Sequence, residues 1–280
     1  DPGDAAWCAG LPALGRTLAA EHGHVAIKAI DVARAGLSDD AFADLIAEEL
    51  LLGGPATEVG LPQPGRRVVV VTREAPVAAS GRHALADGQV VVASGGARGI
   101  TAHVLMALAR EARLRLVLLG RTQPIDNDPL PDVTGEAALR SALAERARQR
   151  GESLSPREIA AQASGLLAWR EIAASMAALR TAGAKVRYVA VDVREGDAVA
   201  RVLADVRAEW GPIGGLLHAA GVIADKRLAD KTDEQIDRVL GTKLDGLAHL
   251  LDATREDSLA WLCLFSSVSA RVGNIGQSDY

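Results

Sequence analysis

The stretch VVVASGGARGIT, residues 90–101, decides the fold because it combines three local patterns. Val90–Ala93 is a continuous apolar run, as expected for a strand covered on both faces. A glycine-rich turn follows, and a helix begins near Ile100. Glycine permits a tight turn and close backbone approach, and the free N–H groups that open a helix attract phosphate. The stretch predicts a loop that binds the pyrophosphate of a dinucleotide; the alternative is a simple tight turn.

Four more apolar runs follow along the chain, with room for helices between them. They are Leu116–Leu119, Val186–Val191, Ile213–Ala220 and Leu259–Phe265. Strands that alternate with helices predict a parallel sheet built from βαβ units. Ser155–Glu158 and Thr232–Gln235 each have the pattern of a capping box at a helix start. We therefore predict an α/β fold with a Rossmann-like, doubly wound parallel sheet.

The first 75 residues predict a smaller α/β unit in front of the main one. Helices are expected at Leu11–Ala20 and Asp39–Leu52, and strands at Val25–Val32 and Arg67–Thr72. This unit has neither a glycine loop for phosphate nor a cluster of catalytic residue types, so we expect a structural role. Residues 76–88 are the expected linker to the larger domain, residues 89–280.

The larger domain contains a long segment between its second and third predicted strands. About 65 residues, from Arg121 to Lys185, stand where a single crossover helix would suffice. Prolines mark a loop, and helices are expected at Glu136–Gln149 and Ser155–Thr181. We interpret residues 122–184 as a helical insertion, and nothing in it points to chemistry.

Composition argues against several classes of protein. With a net charge of −5, the chain lacks the basic balance of a nucleic-acid-binding domain. No apolar run reaches the roughly 18 residues that cross a bilayer, and the acidic Asp1–Asp4 stretch is unlike a signal peptide. Cys8 and Cys263 stand alone, so neither a disulfide framework nor a zinc site is expected. A reducing, cytoplasmic setting fits these features.

The end of the second predicted strand indicates which dinucleotide would bind. An acidic residue near this point would bind the ribose hydroxyl of NAD, whereas an arginine suits the 2′-phosphate of NADP. Arg121 stands there, and Arg98 in the glycine loop could add to it. A solvent-exposed arginine is the alternative. The sequence favours NADP.

Lys243 occupies an unusual position on a predicted helix. At about 100° per residue it falls near the middle of an apolar arc roughly 120° wide. The arc consists of Ile236, Val239, Leu240, Leu247, Leu250 and Leu251. A buried ammonium without a partner costs several kcal/mol, so a role in stability is hard to defend. The position favours function, with a side chain that reaches the surface as the alternative.

Ser266 and Ser267 follow directly after the fifth run, and Tyr280 lies 13 residues after Ser267. A phenol with its ordinary pKa of about 10 is a poor proton donor at neutral pH. A neighbouring ammonium lowers that pKa and makes the tyrosine a usable general acid. A serine hydroxyl beside it can bind the same substrate oxygen. Lys243, Ser267 and Tyr280 are therefore the candidate catalytic residues, although Ser267 alone would be an ordinary serine at a strand end.

Several motifs resemble the ketoreductase domain of type I polyketide synthases, a branch of the short-chain dehydrogenase/reductase superfamily. They are SGGARGI at 94–100, HAAGV at 218–222, KLDG at 243–246, FSS at 265–267 and GQSDY at 276–280. The resemblance covers essentially the whole chain. Residues 1–75 resemble the family's truncated, Rossmann-like structural subdomain, which has lost cofactor binding. The insertion and residues 224–232 are most similar to synthases of polyunsaturated fatty acids or enediynes.

The resemblance implies NADPH-dependent reduction of a β-ketoacyl thioester on an acyl carrier protein, beside the other domains of a type I synthase. Tyr280 would protonate the ketone oxygen, Ser267 would hold it, and Lys243 would support Tyr280. In ordinary short-chain dehydrogenases an asparagine matches Lys243 and a lysine follows the tyrosine by four residues, so Lys243 favours the synthase branch. The implied cofactor-binding residues are Ser94, Gly95, Gly96, Ala97, Arg98, Gly99, Ile100, Arg121, Asp192, Val193, Ala219, Ala220 and Gly221.

The resemblance also implies a stereochemical outcome. Asp225 matches the last residue of the Leu-Asp-Asp motif of B-type domains, which here reads Ile223-Ala224-Asp225. An A-type domain would carry tryptophan eight residues before the tyrosine, where this chain has Val272. We therefore expect a D-configured 3-hydroxy product.

The family continues past the tyrosine with an asparagine four residues on, a helix, further strands and a substrate lid. Since the sequence ends at Tyr280, we expect an incomplete domain and little activity from these 280 residues alone. Two alternatives stay open: a silent scaffold module of a multienzyme, and a free-standing short-chain alcohol dehydrogenase. The intact Ser267, Tyr280 and Lys243 argue against the first, and the N-terminal subdomain argues against the second.

Overall fold

The computed structural model describes residues 10–34, 36–63, 66–69 and 85–280. Contacts divide the chain into two compact units. The first comprises the described part of residues 1–82 together with Val222–Leu240 and Ser266–Tyr280. The second comprises residues 83–221 and Gly241–Phe265. The expected division, with domains at 1–75 and 89–280, is contiguous in sequence, whereas these units are not. Residues 76–84 of the expected linker lie outside the described residues.

The elements of the N-terminal part are α1 (Leu11–Glu21), β1 (Ala29–Val32), α2 (Asp39–Leu52), β2 (Glu58–Gln63) and β3 (Arg66–Val69). Then follow β4 (Val90–Ser94), α3 (Gly99–Glu111), β5 (Arg115–Gly120), α4 (Glu136–Gln149), α5 (Pro156–Thr181), β6 (Lys185–Ala190), α6 (Gly196–Trp210) and β7 (Ile213–His218). The last are a 3₁₀ turn (Leu228–Asp230), α7 (Asp233–Leu240), a π turn (Gly241–Asp245), α8 (Gly246–Ala253), β8 (Trp261–Leu264) and α9 (Ser269–Val272).

The second unit is built on a five-stranded sheet in the order β6-β5-β4-β7-β8. Every neighbouring pair is parallel. The chain therefore starts in the middle of the sheet, moves outward to one edge, and returns to add β7 and β8 on the other side of β4. In such sheets ligands bind beyond the carboxyl ends of the strands where the order reverses, here between β4 and β7. The predicted doubly wound parallel sheet is confirmed.

Helices cover both faces of this sheet, which explains why its strands are almost continuously apolar. One buried cluster packs Leu105 of α3 and both Ile172 and Leu179 of α5 against one face. The other packs Leu203 of α6 and Leu250 of α8 against the opposite face. All five predicted apolar runs become strands. The last two are shorter than predicted, because β7 ends at His218 and β8 covers only Trp261–Leu264.

The insertion between β5 and β6 forms the predicted helix pair, with bounds that match for α4 and differ by one residue for α5. Ser155 caps α5 by the predicted box: the Glu158 N–H donates to Ser155 Oγ at 3.3 Å, and the Ser155 N–H to Glu158 Oε2 at 2.7 Å. Trp169 of α5 donates from Nε1 to the Ile125 carbonyl at 2.8 Å. Helix α5 thus anchors the loop that precedes α4.

The N-terminal part of the first unit forms a three-stranded sheet in the order β1-β2-β3. Strands β1 and β2 are parallel, and β2 and β3 antiparallel. Helix α2 has its predicted bounds. Strand β1 begins at Ala29 rather than Val25, which is 48% exposed. Strand β2 was not predicted. Residues 70–72 of the predicted last strand lie outside the described residues.

Glu21, at the end of α1, joins three separate segments of the first unit. Its buried carboxylate accepts from the Leu228 N–H at 2.9 Å through Oε2 and from the Gly276 N–H at 2.9 Å through Oε1. Thr17, one turn earlier, accepts from the Asn274 N–H at 3.1 Å. The N-terminal helix therefore fixes the backbone of residues that lie more than 200 positions later in the chain.

The predicted helix around Lys243 is not uniform. Residues 233–240 and 246–253 are α-helical, but Gly241–Asp245 forms a π turn. The uniform 100° per residue is therefore wrong in the middle, because a π turn closes its hydrogen bonds one residue later than an α-helix. Leu240 and Leu251, two residues of the predicted apolar arc, are 37% and 38% exposed.

Among the described residues, no helix is long and apolar enough to cross a lipid bilayer.

Candidate active site

The glycine loop lies where the sequence predicts it, between β4 and α3. Gly95 and Gly99 have φ values of +67° and +57°, in the left-handed region that favours glycine. A Cβ on Gly95 would lie 2.8 Å from the Ala220 backbone nitrogen, and one on Gly96 would lie 2.8 Å from Ala93 Cβ. The first two glycines are therefore required by close packing, and the loop exposes the N-terminus of α3.

A hydrogen-bonded chain connects this loop to Lys243. The Ala220 N–H donates to Ser94 Oγ at 3.3 Å, and Ser94 Oγ lies 2.7 Å from His218 Nδ1. His218 Nε2 lies 3.0 Å from the Lys243 carbonyl oxygen. A carbonyl can only accept, so Nε2 carries the proton and Nδ1 accepts from the Ser94 hydroxyl. Every hydrogen bond in this network therefore has a defined donor and a defined acceptor.

His218 is neutral in this network because burial lowers its pKa. The ring is almost fully enclosed at the end of β7, 3% exposed. A second proton, on Nδ1, would point at the Ser94 hydroxyl. That hydroxyl would then have to accept a hydrogen bond from Nδ1 instead of donating one to it. His218 was part of a quoted motif but was not among the predicted site residues.

Lys243 is half-buried, and its ammonium does not reach out to solvent as a surface lysine would. Its Nζ donates to the Phe265 carbonyl at 3.1 Å, directly beyond β8. Burial lowers the pKa of this lysine. The Lys243 carbonyl oxygen contacts His218 at the end of β7, and its Nζ contacts Phe265 after β8. The carboxyl ends of both strands therefore position Lys243.

The carboxyl ends of β5 and β6 carry three of the residues expected to bind the cofactor. Arg121 is exposed directly after β5. Asp192 accepts from the Arg194 backbone N–H at 3.0 Å and from its Nη2 at 2.8 Å. The hydrogen bond from the Arg194 side chain is the main cause that holds the pKa of Asp192 below its usual range, and the charge of Arg121 contributes. Val193 is buried against Gly246.

A cavity of about 640 Å³ lies beside Arg121, between the end of β5 and the insertion. Apolar side chains and amide groups share its wall. Its lining consists of Arg121, Thr122, Gln123, Ile125, Asn127, Pro129, Leu143, Gln162, Gly165 and Leu166. The insertion therefore shapes the surroundings of Arg121, which its sequence did not indicate.

The insertion also reaches the glycine loop. The Gly99 N–H donates to Glu171 Oε1 of α5 at 3.2 Å, and Arg98 Nη1 lies 3.9 Å from Glu171 Oε2. No sequence signal marks Glu171, because it is one of several charged residues along a 26-residue helix. The expectation that the insertion carries no chemistry overlooked this contact.

Ser267, Asp225 and Tyr280 belong to the first unit, where Gln277 connects them. Ser267 Oγ accepts from the Ser269 N–H at 3.1 Å, and Ser269 Oγ donates to Gln277 Oε1 at 2.7 Å. Gln277 Nε2 donates to Asp225 Oδ2 at 3.1 Å, and its carbonyl accepts from the Tyr280 N–H at 3.3 Å. Sequence reasoning missed Gln277 as a site residue, although it lies within the quoted motif that ends at Tyr280.

A buried ion pair fixes the segment next to Tyr280. Lys231 Nζ lies 2.8 Å from both carboxylate oxygens of Asp279 and donates to the Ala224 carbonyl at 2.8 Å. Both side chains are almost completely enclosed. Lys231 therefore joins Ala224, the residue before Asp225, to Asp279, the residue before Tyr280.

The second unit has the features of a dinucleotide-binding doubly wound protein: a glycine loop at the point where strand order reverses, followed by a helix N-terminus. The model of the KR domain family matches residues 88–280, so the chain belongs to the KR, or ketoreductase, family. Membership implies an oxidoreductase that uses a nicotinamide cofactor. The resemblance to ketoreductase domains of synthases is thereby confirmed.

Among curated relatives, a polyunsaturated fatty acid synthase polypeptide of Thraustochytrium sp. is 30% identical over 262 residues, which are 90% of this chain and 9% of that protein. Phenolphthiocerol synthesis polyketide synthase type I Pks15/1 of Mycobacterium marinum is 44% identical over 111 residues, 39% of this chain and 5% of that protein. This chain therefore spans a small part of these relatives.

Solved structures with the same fold include a ketoreductase domain from the bacillaene assembly line. It has a TM-score of 0.68 and 24% identity, over 97% of this chain and 54% of that one. The ketoreductase from the first module of phoslactomycin biosynthesis in Streptomyces sp. HK803 has a TM-score of 0.63 and 25% identity, over 97% and 52%.

Proposed function

We propose that this chain is the NADPH-dependent ketoreductase part of a multidomain synthase. It reduces a β-ketoacyl thioester on an acyl carrier protein to the 3-hydroxyacyl thioester. The observation that carries the proposal is the hydrogen-bonded chain from the glycine loop through Ser94 and His218 to Lys243. It places a half-buried lysine at the strand ends of the same sheet that presents the loop.

The residues at these strand ends fit a nicotinamide dinucleotide, which supplies a hydride when bound. The glycines at 95 and 96 leave no room for a Cβ, so the loop backbone can be approached closely. The cofactor-binding residues are those of the loop, Ser94–Ile100, together with Asp192, Val193 and Ala219–Gly221. Arg121 favours NADPH over NADH, because an exposed guanidinium after β5 can neutralise a 2′-phosphate.

The catalytic residues are Tyr280, Ser267 and Lys243, in the roles that ketoreductases give to matching positions. As the carbonyl carbon gains hydride, negative charge develops on its oxygen. Ser267 donates a hydrogen bond to that oxygen, and Tyr280 transfers its phenolic proton to it. Lys243 supports Tyr280 in this transfer, the role that ketoreductases give to the matching lysine.

Substrate and partners follow from the same resemblance. Asp225, held by Gln277, controls the face of the ketone, and the product is the D-3-hydroxyacyl thioester. The partners are an acyl carrier protein and other synthase domains, since the relatives are named as polyunsaturated fatty acid and polyketide synthases. The synthase works in the cytoplasm.

The test is the Tyr280→Phe variant in the full natural chain. We expect reduction of a β-ketoacyl thioester to fall by about 100-fold or more, because the proton donor is lost. NADPH binding, followed by nicotinamide fluorescence, should be unchanged. Tyr188→Phe removes the other tyrosine hydroxyl, which donates to the Thr122 carbonyl, and should keep most of the activity.

Three outcomes contradict the proposal. Equal rates for Tyr280→Phe and the unsubstituted protein would exclude Tyr280 as the donor. Absence of reduction in the unsubstituted full chain would favour the silent scaffold. An L-configured product would exclude the B-type assignment of Asp225.

A further inference from the structure

The exposed N-terminus of α3 already holds a carboxylate from another helix. Glu171 of α5 accepts from the Gly99 N–H at 3.2 Å through Oε1, and its Oε2 lies 3.9 Å from Arg98 Nη1. Helix α3 has no acidic residue in its own first turn, and Arg98 at its N-cap provides no side-chain cap. Glu171 therefore supplies the cap that the local sequence lacks.

This position is also where a phosphate would bind. The first N–H groups of a helix lack acceptors within the helix, and its dipole attracts negative charge. In doubly wound proteins the helix after the first strand uses these groups to bind the pyrophosphate of a dinucleotide. A carboxylate and a phosphate oxygen carry the same sign of charge and accept the same hydrogen bonds. The two cannot occupy the Gly99 N–H together.

The backbone around Glu171 is anchored, but its side chain is not enclosed. Trp169 donates to the Ile125 carbonyl, and Arg170 forms an ion pair with Asp128, with Nε 2.6 Å from Oδ2. Ile172, the next residue, is buried in the sheet core. The Glu171 side chain itself is 52% exposed. The helix therefore always presents Glu171 at the loop, while the carboxylate can rotate away.

We propose that Glu171 competes with the cofactor phosphate for the Gly99 N–H and for Arg98, and so sets cofactor affinity. The proposal rests on the proposed function, because it requires that the loop binds NADPH. In the cofactor-free protein Glu171 caps α3. When the phosphate binds, the carboxylate leaves, and Arg98 exchanges a carboxylate partner for a phosphate. The insertion thus acts on the reductase site through a single side chain.

The test measures NADPH affinity in the full natural chain by fluorescence titration. Glu171→Gln keeps the length of the side chain and removes its charge. We expect the Kd for NADPH to fall about two- to five-fold, the range of a charge at a helix N-terminus. Inorganic pyrophosphate, as a competitor of NADPH and by direct calorimetric titration, should bind more tightly by a similar factor. Glu171→Ala should change both affinities in the same direction.

Glu145→Gln is the matched control, since it removes one negative charge from the exposed surface of the insertion at α4. It should leave both affinities unchanged. Equal affinities for Glu171→Gln and the unsubstituted protein would overturn the proposal. Weaker binding by Glu171→Gln would also overturn it, because Glu171 would then orient Arg98 for the phosphate. If no variant binds NADPH, the proposed function fails, and the calorimetric pyrophosphate titration still decides the role of Glu171.

Discussion

His218 shows how one side chain can determine the local order of a site. Its two ring nitrogens connect the glycine loop, through Ser94, to the backbone of Lys243. The connection requires the neutral ring with the proton on Nε2, and burial supplies that condition by lowering the pKa. Protonation of His218 therefore destabilises the folded state of the second unit.

This arrangement predicts a specific loss of stability in mild acid. The pKa of His218 is lower in the folded than in the unfolded state, so the unfolded state takes up more protons as pH falls. Stability is complete above the unfolded value of 6.5 and decreases below it, by at most about 1.4 kcal/mol per pH unit. His218→Gln should reduce the difference in unfolding free energy between pH 7.5 and pH 5.5.

Urea denaturation at the two pH values measures this difference. The control is His24→Gln, at an exposed histidine of the first unit, which should leave the difference unchanged. Carboxylates with lowered pKa values, such as Glu49, lose their contribution only below about pH 4.5 and do not act in this range. Equal pH dependence in His218→Gln and the unsubstituted protein would contradict the assignment.

Some site residues could be found from the sequence and others could not. Lys243 and Arg121 are conspicuous because their charge conflicts with the local pattern. Lys243 is a cation in a predicted apolar arc, and Arg121 is a cation directly after a buried strand. Glu171, Gln277 and Arg194 carry no such conflict. Glu171 and Gln277 matter through their contacts with Gly99 and Asp225, which only folding brings near. Arg194 contacts Asp192 two residues away, and no period in the sequence marks that contact.

At the scale of elements, the sequence predicts best where the stabilising contacts are local. The bounds of α2 and α4 were predicted to the residue, and both capping boxes formed as expected. The second box joins the Thr232 N–H to Gln235 Oε1 at 3.2 Å, and the Gln235 N–H to Thr232 Oγ1 at 3.4 Å. Each box lies within four consecutive residues, so the local sequence pattern is enough to predict it.

Strand β2 and the π turn escaped prediction for the opposite reason. Strand β2 contains Gly60 and Pro62, residues that are disfavoured in strands, and it forms because Val59 and Leu61 are buried. Tertiary burial thus overrides weak local preference. The π turn interrupts a sequence whose apolar spacing is regular. Its hydrogen bonds span one residue more than those of an α-helical turn, and that spacing does not reveal the difference.

The capping box of α5 can be tested directly. Ser155→Ala removes the acceptor for the Glu158 N–H at the start of the helix that carries Glu171. We expect the free energy of unfolding to fall by about 1 kcal/mol, the usual cost of a lost N-cap. Urea denaturation at neutral pH measures it. Ser153→Ala, at an exposed serine two residues earlier, should have no comparable effect, and an equal loss in both variants would contradict the cap's contribution.

At the scale of the whole molecule, the two units are assembled from segments that alternate along the chain. The sequence predicts a single division, near residue 75, because the first α/β pattern gives way to the second there. The inclusion of Val222–Leu240 and Ser266–Tyr280 in the first unit depends on contacts such as those of Glu21. Long-range pairing of this kind leaves no periodic trace in a single sequence.

Glu21 gives a test of that organisation. Its burial raises the pKa, but the hydrogen bonds from the Leu228 and Gly276 N–H groups outweigh this and hold the pKa below its usual range. Its contribution to stability is therefore present above about pH 4.5 and is lost as pH falls further. Glu21→Gln replaces one acceptor with a donor and should lower the unfolding free energy at pH 7 by about 1–3 kcal/mol.

The loss should become smaller as pH falls below 4.5, because the unsubstituted protein then loses the same carboxylate. Urea denaturation followed by tryptophan fluorescence measures both effects. Glu48→Gln, at an exposed glutamate on α2, is the control and should change stability little. A similar loss in both variants would show that Glu21 does not connect the three segments.

The hydrogen bonds of Glu21 also restrict how such domains can be exchanged between synthases. A graft that begins at residue 88, where the KR family match begins, separates Leu228 and Gly276 from the helix that satisfies their N–H groups. The recipient must then provide an acceptor at the equivalent place, or a buried donor at Gly276 and a partly buried donor at Leu228 stay unsatisfied. A safe junction for recombination therefore lies before α1, so that the N-terminal helix travels with the reductase it supports.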